Sequence, residues 1–444
     1  MTVLDRRKTN IQRSPKRGGS CEEDSRPYLD QLGISITENK QPIQFTGNAN
    51  ELVHRWAPYV QGFSAAFVQS TFHRFRGDYQ CPRVLDPFAG CGTVLVQAKM
   101  SGYESFGVEF NPLMRYITDV KLNSWFVSPR KLLEVYQNLK YELLASEPSF
   151  LKSENHFNPL ALFSLKRIKG AIDLLTPSDA EQARIKDLLT VAFSAILIDC
   201  SNLKRTPCLG YWKDKSVDEA EPFRLFNNKV MDIVYDLEIL QSDYRERLSV
   251  RSEVVRANSM EYDYESNYDL VITSPPYMNG LDYVMNYKIE MAWLGFISSH
   301  KEAKAMKDVM VVCDNVSKGV IRNFAGADYY TNDWLDAITD NINRGIKLRT
   351  AYRREDMAWI VKKYFDDMNR VILKVAKSLN AGARFILVVG DSLIADTYVP
   401  TDLILAKIAT EHGLKIEAIE LARHRRSGQI RDYRLRETVV ILRK

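Results

Sequence analysis

Two short stretches of the chain bring together residue types that can do chemistry. The first is Asp86-Pro87-Phe88-Ala89-Gly90-Cys91-Gly92-Thr93, after the apolar pair Val84-Leu85. The second is Thr273-Ser274-Pro275-Pro276-Tyr277, after Asp269-Leu270-Val271-Ile272. A short apolar run bounded by turn residues reads as a buried parallel strand, so each motif is expected at a strand's carboxyl end. In open α/β sheets that edge is where ligands bind. Gly90 and Gly92 remove two β-carbons, which lets the backbone bend sharply and approach a ligand before a helix begins near Val94. A second strand, Ser105-Phe106-Gly107-Val108-Glu109, ends in a carboxylate about twenty residues beyond the first glycine, where an acid suits a ribose diol. The third glycine of a dinucleotide fingerprint is missing, yet an adenosine-containing cofactor is indicated. The competing reading is a tight strand-turn-helix connection with Glu109 as a solvated strand end.

The second motif cannot continue a strand or start an ordinary helix, because both prolines lack an amide donor and each restricts the residue before it. It offers a rigid, extended backbone with free carbonyl acceptors, a hydroxyl before it and an aromatic face after it. That set suits a planar base bearing an amino group: hydroxyl and carbonyl accept from the exocyclic nitrogen while the ring of Tyr277 stacks on the base.

In this order the two motifs resemble those of the amino-group DNA methyltransferases that use S-adenosylmethionine, and within them the N4-cytosine branch. Adenine-modifying relatives more often carry Asp or Asn where Ser274 stands. The resemblance covers roughly residues 50–122 and 250–444. It implies an α/β, Rossmann-like class I methyltransferase fold: a mostly parallel seven-stranded sheet ending in an antiparallel hairpin, here with a helical insertion. It implies further that Asp86, Pro87, Phe88, Gly90, Gly92 and Thr93 shape the cofactor pocket and that Glu109 holds the ribose. Asn258 or Ser259, after the next strand, is the candidate to face the adenine ring. Tyr59 and Ser64, in a segment that resembles the helix closing over the methionine end, complete the cofactor set. Ser274, Pro275, Pro276 and Tyr277 would grip a flipped-out base.

Those motifs must be positioned by the rest of 444 residues, a length that fits one large domain with an insertion, or two domains. Hydrophobic content of 45% and charged content of 26% describe an ordinary globular protein. No run approaches a membrane span and the first residues lack a signal peptide's apolar core, so a cytoplasmic, DNA-associated protein of a prokaryote is expected. The six cysteines are scattered without a Cys-x-x-Cys pair, so neither a metal site nor a disulfide framework is expected. The chain divides into a disordered basic arm (1–45), a first catalytic part (46–127), a helical insertion (128–249) with a target-recognition role, and a second catalytic part (250–444). Within the last, residues 312–356 read as an irregular recognition loop, with Arg344, Lys347, Arg349, Arg353 and Arg354. In the insertion, Lys204, Arg205, Tyr211, Trp212 and Lys213 interleave cations with aromatics, which suits DNA or simple helix packing.

The net charge of +5 is only mildly basic, so distribution matters more than total. Arg425, Arg426, Arg431 and Arg434 crowd one C-terminal hairpin, with Arg436 beside them, and phosphate contact is the inference; a charged edge strand is the alternative. Double-stranded DNA is thus the expected partner, with a cognate restriction endonuclease acting separately as a companion. The chemistry expected is direct transfer. Ser274 and the Pro275 carbonyl favour the pyramidal nitrogen that develops on the amino group, and no strong general base is visible. Three rival readings share these motifs: adenine-N6 methylation, RNA guanosine-N2 methylation, and a DNA-binding subunit that retains the fold without turnover.

Overall fold

The computed structural model describes residues 20–39, 43, 45–60, 62–205, 208–212, 214–278, 282–348, 354–427 and 433–444. Its strands, in chain order, are β1 (Ile36–Glu38), β2 (Val84–Asp86), β3 (Ser105–Val108), β4 (Leu203–Arg205), β5 (Leu209–Tyr211) and β6 (Ser252–Val255). They continue with β7 (Tyr268–Thr273), β8 (Leu379–Gly390), β9 (Ser392–Ile394), β10 (Thr397–Val399), β11 (Lys415–Arg426) and β12 (Arg434–Arg443). Eight form one sheet in the order β1-β11-β12-β8-β7-β2-β3-β6. From β8 to β6 the neighbours are all parallel, and β12 is antiparallel to both β8 and β11. The chain runs outward from β2 to β6 on one side and from β7 to β8 on the other. The order therefore reverses between β2 and β7, the place where such sheets open a crevice at their carboxyl ends.

The alternation of apolar residues in β8 explains the layers. Phe385, Leu387 and Val389 pack with helix Met357–Ser378 and the helix Thr401–Glu411, whereas Ile386 and Val388 face helix Ala65–Phe75. Side chains at successive strand positions point to opposite faces, so one strand serves two cores. Helix starts follow a recurrent local rule. Asn111, Ser128 and Asn158 each cap a helix whose first residue is proline, and each side chain accepts a backbone N–H of the first turn. Helix Ala180–Ile196 is capped by Asp179, which accepts from Gln182 N at 2.8 Å, while the Gln182 side chain accepts from Ser178 N.

The sheet departs from the seven strands expected, because β1 pairs in parallel with β11 and adds an eighth. The arm expected over 1–45 is accordingly too long: Cys21–Leu32 is a helix, stopped by Gly33 at φ 66°, and Tyr28 meets Trp334 edge-on at 4.8 Å. Only Cys21, Ser25 and Tyr28 of that helix are buried, which leaves little apolar periodicity to betray it. Residues 1–19 lie outside the described residues.

Residues 128–249 form helices and the short β4–β5 hairpin, and they are no separate body. Phe193, Phe226 and Leu237 share a core with Val53, Trp56 and Ile117. Residues 312–356 are more regular than expected. Lys318–Ala325 and Asp333–Lys347 are helices, the second capped by Asn332. Arg354 binds Asp356 and the carbonyl of Asp314 at 3.1 Å, so it holds the fold; Arg349 and Arg353 lie outside the described residues.

Arg436 is likewise no phosphate ligand. It is buried, donating to both oxygens of Asp402 at 2.9 and 3.0 Å and to Ser25 Oγ at 2.7 Å, and so ties the N-terminal helix to the end of the sheet. Removing one partner of a buried, hydrogen-bonded ion pair leaves a charge without compensation, so Arg436→Leu is expected to cost about 3–5 kcal/mol. A urea midpoint equal to the parent's would contradict this account.

Candidate active site

The two motifs meet where the sheet order reverses. Asp86, the last residue of β2, accepts a hydrogen bond from the Thr273 hydroxyl, the last residue of β7, at 2.6 Å and another from Phe88 N at 3.0 Å. Both side chains are buried, and burial pushes the Asp86 carboxyl up to about 7. Asp86 thus joins the turns and does not line the cavity beside them.

The glycine turn folds as expected. Gly90 has φ 52° and Gly92 φ 83°, the left-handed region that glycine tolerates best. A β-carbon on Gly90 would lie 2.8 Å from the Tyr59 hydroxyl, and one on Gly92 would lie 2.7 Å from a Thr118 methyl. Glu109, just past β3, accepts from Gly90 N at 2.8 Å and from Asn111 N at 2.6 Å. Its carboxyl is pushed up to about 7, chiefly by burial, with those two donors pulling the other way.

A cleft opens here at the carboxyl ends of the strands. Of the residues expected from sequence, Tyr59, Phe88, Glu109, Asn258, Ser259, Ser274 and Pro276 line it. Pro87 stands behind, its carbonyl accepting from the Ser259 hydroxyl. Thr93 and Ser64 are buried helix-start residues, and Ser64 accepts from Phe67 N at 3.1 Å, so its role in the structure is that of a cap outside the cavity. Sequence reasoning missed Val108, Phe110, Asn111, Met114, Tyr283, Met310 and Val311. Phe110 and Asn111 directly follow the acid at the end of β3, a signal that was available. Met310 and Val311 arrive from a distant segment, and nothing local marks them.

Tyr277 stands at the edge of this group. Its hydroxyl donates to Glu437 Oε1 at 2.6 Å, and the Arg425 guanidinium lies over its ring at 5.3 Å from the centroid. Arg425 also donates to the Asp391 carbonyl at 2.8 Å and lies across Gly390, where a β-carbon would collide with it. Arg425, expected on phosphate, is therefore committed to the Tyr277 ring. Arg426 and Arg434 are exposed and directly opposite one another at the hairpin's end, and Arg431 lies outside the described residues.

The insertion reaches the same place through stacked rings. Tyr59 stacks on Tyr287 at 6.0 Å and on Tyr283 at 6.4 Å. The Tyr287 hydroxyl accepts from Val60 N at 3.1 Å, and its ring carries Arg205 at 4.4 Å from the centroid. Arg205 is ion-paired with Glu290, so this cation is structural, whereas Tyr211 and Trp212 beyond it are exposed. Asp236 of helix Glu221–Asp243 accepts from Val53 N and Trp56 Nε1, both at 2.8 Å, and holds the segment leading to Tyr59.

The cavity combines apolar walls at Phe88, Phe110, Met310 and Val311 with one carboxyl group and the polar groups of Asn258, Ser259 and Ser274. An α/β sheet with such a cleft at its reversal point, between a glycine turn and a Ser-Pro-Pro-Tyr turn, defines the class of protein at the level of fold and site. No protein-family model matches the chain. Across most of its length, however, it is similar to curated Type II methyltransferases. It is 23% identical to M.BsoBI of Geobacillus stearothermophilus over 444 residues, covering 87% of this chain and 84% of that protein. It is 24% identical to M.AvaI of Nostoc sp. over 433 residues, with coverage of 88% and 85%. Similarity to M.MvaI of Kocuria varians is 21% over 418 residues, 87% of each.

The two buried carboxyls make stability depend on pH with a definite sign. Each titrates near 7 in the fold against 3.8 for Asp86 and 4.5 for Glu109 ordinarily. Between those values the folded chain binds more protons than the unfolded one, so stability is lost as pH rises toward 7 and levels off above it. Asp86→Asn and Glu109→Gln are each expected to flatten that fall, by on the order of 3 kcal/mol. Urea unfolding from about pH 5 to about pH 8 measures it, and parental slopes in both variants would refute the assignment.

Proposed function

We propose that the chain is a DNA methyltransferase of a restriction–modification system, transferring a methyl group from S-adenosylmethionine to the exocyclic N4 of cytosine in a flipped-out base. The observation that carries the proposal is the Asp86–Thr273 bond, which sets the glycine turn and the Ser-Pro-Pro-Tyr turn at one cleft. The similarity to Type II methyltransferases on both sides of the insertion supports the same reading. It supports methylation of DNA more broadly than it supports cytosine, and the choice of base rests on Ser274.

The cleft's donor set fits the cofactor. Glu109 would hold the ribose diol, Phe88, Phe110, Met310 and Val311 would flank the adenine with Asn258 or Ser259 at its edge, and Tyr59 and Gly90 would border the methionine end. When bound, the cofactor supplies an electrophilic methyl group on a sulfonium. The chain's own work is to orient the amino nitrogen, whose lone pair is delocalised into the ring. Ser274 Oγ and the Pro275 carbonyl accept from its two hydrogens and favour the pyramidal form that attacks. Holding nitrogen and methyl in line supplies most of the remaining gain. Arg426 and Arg434, exposed at the hairpin's end, are suited to phosphates flanking the flipped base.

The test is to incubate the protein with S-adenosylmethionine and unmethylated mixed-sequence DNA, digest to nucleosides and identify the product by mass spectrometry. N4-methylcytosine is expected. N6-methyladenine would keep the chemistry and overturn the base assigned from Ser274, and a modified guanosine found only with RNA would overturn the DNA reading. Ser274→Ala is expected to lose far more turnover than cofactor affinity, and Gly90→Val to lose cofactor binding. Equal loss of both quantities in both variants would point to a disturbed fold.

The phosphate role has its own readout. Arg426→Ala and Arg434→Ala are each expected to reduce the slope of log affinity against log salt by about 0.9. An unchanged slope in both would remove the hairpin's end from the DNA interface.

A further inference from the structure

Asn111 lines the cleft with an amide of which the fold uses only one end. The residue caps the helix Pro112–Asn123, and its Oδ1 accepts from Leu113 N at 3.0 Å and from Met114 N at 3.4 Å. Two N–H groups aimed at one atom establish which end of the amide is oxygen, since an NH₂ turned there would face donors. The other end, Nδ2, is buried and has no hydrogen-bond partner among the described residues. With the residue 1% exposed, bulk water does not take that place. A buried donor without an acceptor carries its full desolvation cost.

Two helix starts of the same build show that the cap does not require this NH₂. At Ser128-Pro129 a hydroxyl alone does the capping, accepting from Lys131 N. At Asn158-Pro159 the amide caps in the same way through Oδ1, and its Nδ2 donates to the carbonyl of Val217. The amide of Asn111 instead meets the cleft, beside Glu109, whose Oε1 accepts from Asn111 N at 2.6 Å. A carboxylate can only accept, whereas a hydroxyl has one proton and two acceptor lone pairs. A diol that gives its protons to Glu109 therefore keeps lone pairs that only a donor satisfies. We propose that Asn111 is a cofactor-binding residue whose Nδ2 donates to a ribose hydroxyl oxygen of the adenosine moiety, so that Glu109 and Asn111 together recognise the diol, one by accepting and the other by donating. This rests on the proposed function, in which Glu109 holds the ribose of the cofactor.

Cap and donor can be separated by substitution. Asn111→Ser keeps an N-cap oxygen of equal rank and removes the NH₂. The ligands to titrate by calorimetry are S-adenosylhomocysteine and its 2′-deoxy and 3′-deoxy analogues. Asn111→Ser is expected to bind S-adenosylhomocysteine about threefold to tenfold more weakly than the parent. For the analogue lacking the hydroxyl that Asn111 meets, parent and variant are expected to bind about equally, because the contact is absent from both. A damaged helix start would weaken all three ligands by one common factor. Asn111→Gly, also tolerated at a cap, is expected to repeat the pattern and replaces the serine variant if that one does not fold. Parental affinity of either variant for S-adenosylhomocysteine, or an equal loss for all three ligands, overturns the proposal. A parent that binds none of the three would instead remove the cofactor reading beneath it.

Discussion

The bond from Thr273 to Asp86 is the constraint on which the site depends. Its two ends close adjacent parallel strands, 187 residues apart in sequence, and both are buried, so neither has water as a substitute partner. A buried acceptor left unpaired costs about 1–3 kcal/mol, more if charged, which pins the two strand ends to one register. From that register the rest follows. Phe88 turns to the cavity wall, Gly90 comes under Tyr59, and Ser274 and Pro276 emerge on the opposite rim. The sheet order supplies the crevice, and this hydrogen bond decides which turns face each other across it.

Around that centre the insertion and the C-terminal hairpin act as two clamps. On one side, Asp236 fixes the segment before Tyr59, and Arg205 loads the Tyr287 ring on which Tyr59 stacks. On the other, Arg425 and Glu437 fix Tyr277. Neither clamp is made by the motifs themselves. The glycine turn can be close to Tyr59 only because Gly90 lacks a β-carbon, and Arg425 can lie beside Tyr277 only because Gly390 lacks one. Both contacts are therefore conditional on a glycine, one in the turn after β2 and the other at the end of β8.

What the sequence revealed and what it hid divide along physical lines. Strands β2, β3 and β7 were legible because a strand buried on both faces is a continuous apolar run, and the turns after β2 and β7 because glycine and proline act locally. The helix Cys21–Leu32 and β1 were hidden because their stability comes from partners far away in sequence: Trp334 for Tyr28, and β11 for a strand of three residues. The cavity residues Met310 and Val311 were hidden for the same reason. Ser64 misled because its type fits a polar ligand contact as well as it fits the helix cap that it forms. In the 312–356 stretch, polar and aromatic residues concealed two helices whose buried faces include Ile321, Phe324, Leu335 and Ile338.

The arginines of the hairpin show why charge alone does not define an interface. Arg423 and Arg425 lie on one face of β11, where Glu437 and Tyr277 take them up. Arg434 and Arg436 are two residues apart on β12 and so share the other face, yet Asp402 stands over the second and leaves the first to solvent. Four residues of the same type thus serve a carboxylate of the site, an aromatic ring, an exposed rim and a buried anchor. Sequence reveals the type and the alternation. Which partner waits opposite is set by register and by the helix packed above, and only the exposed rim remains suited to phosphate.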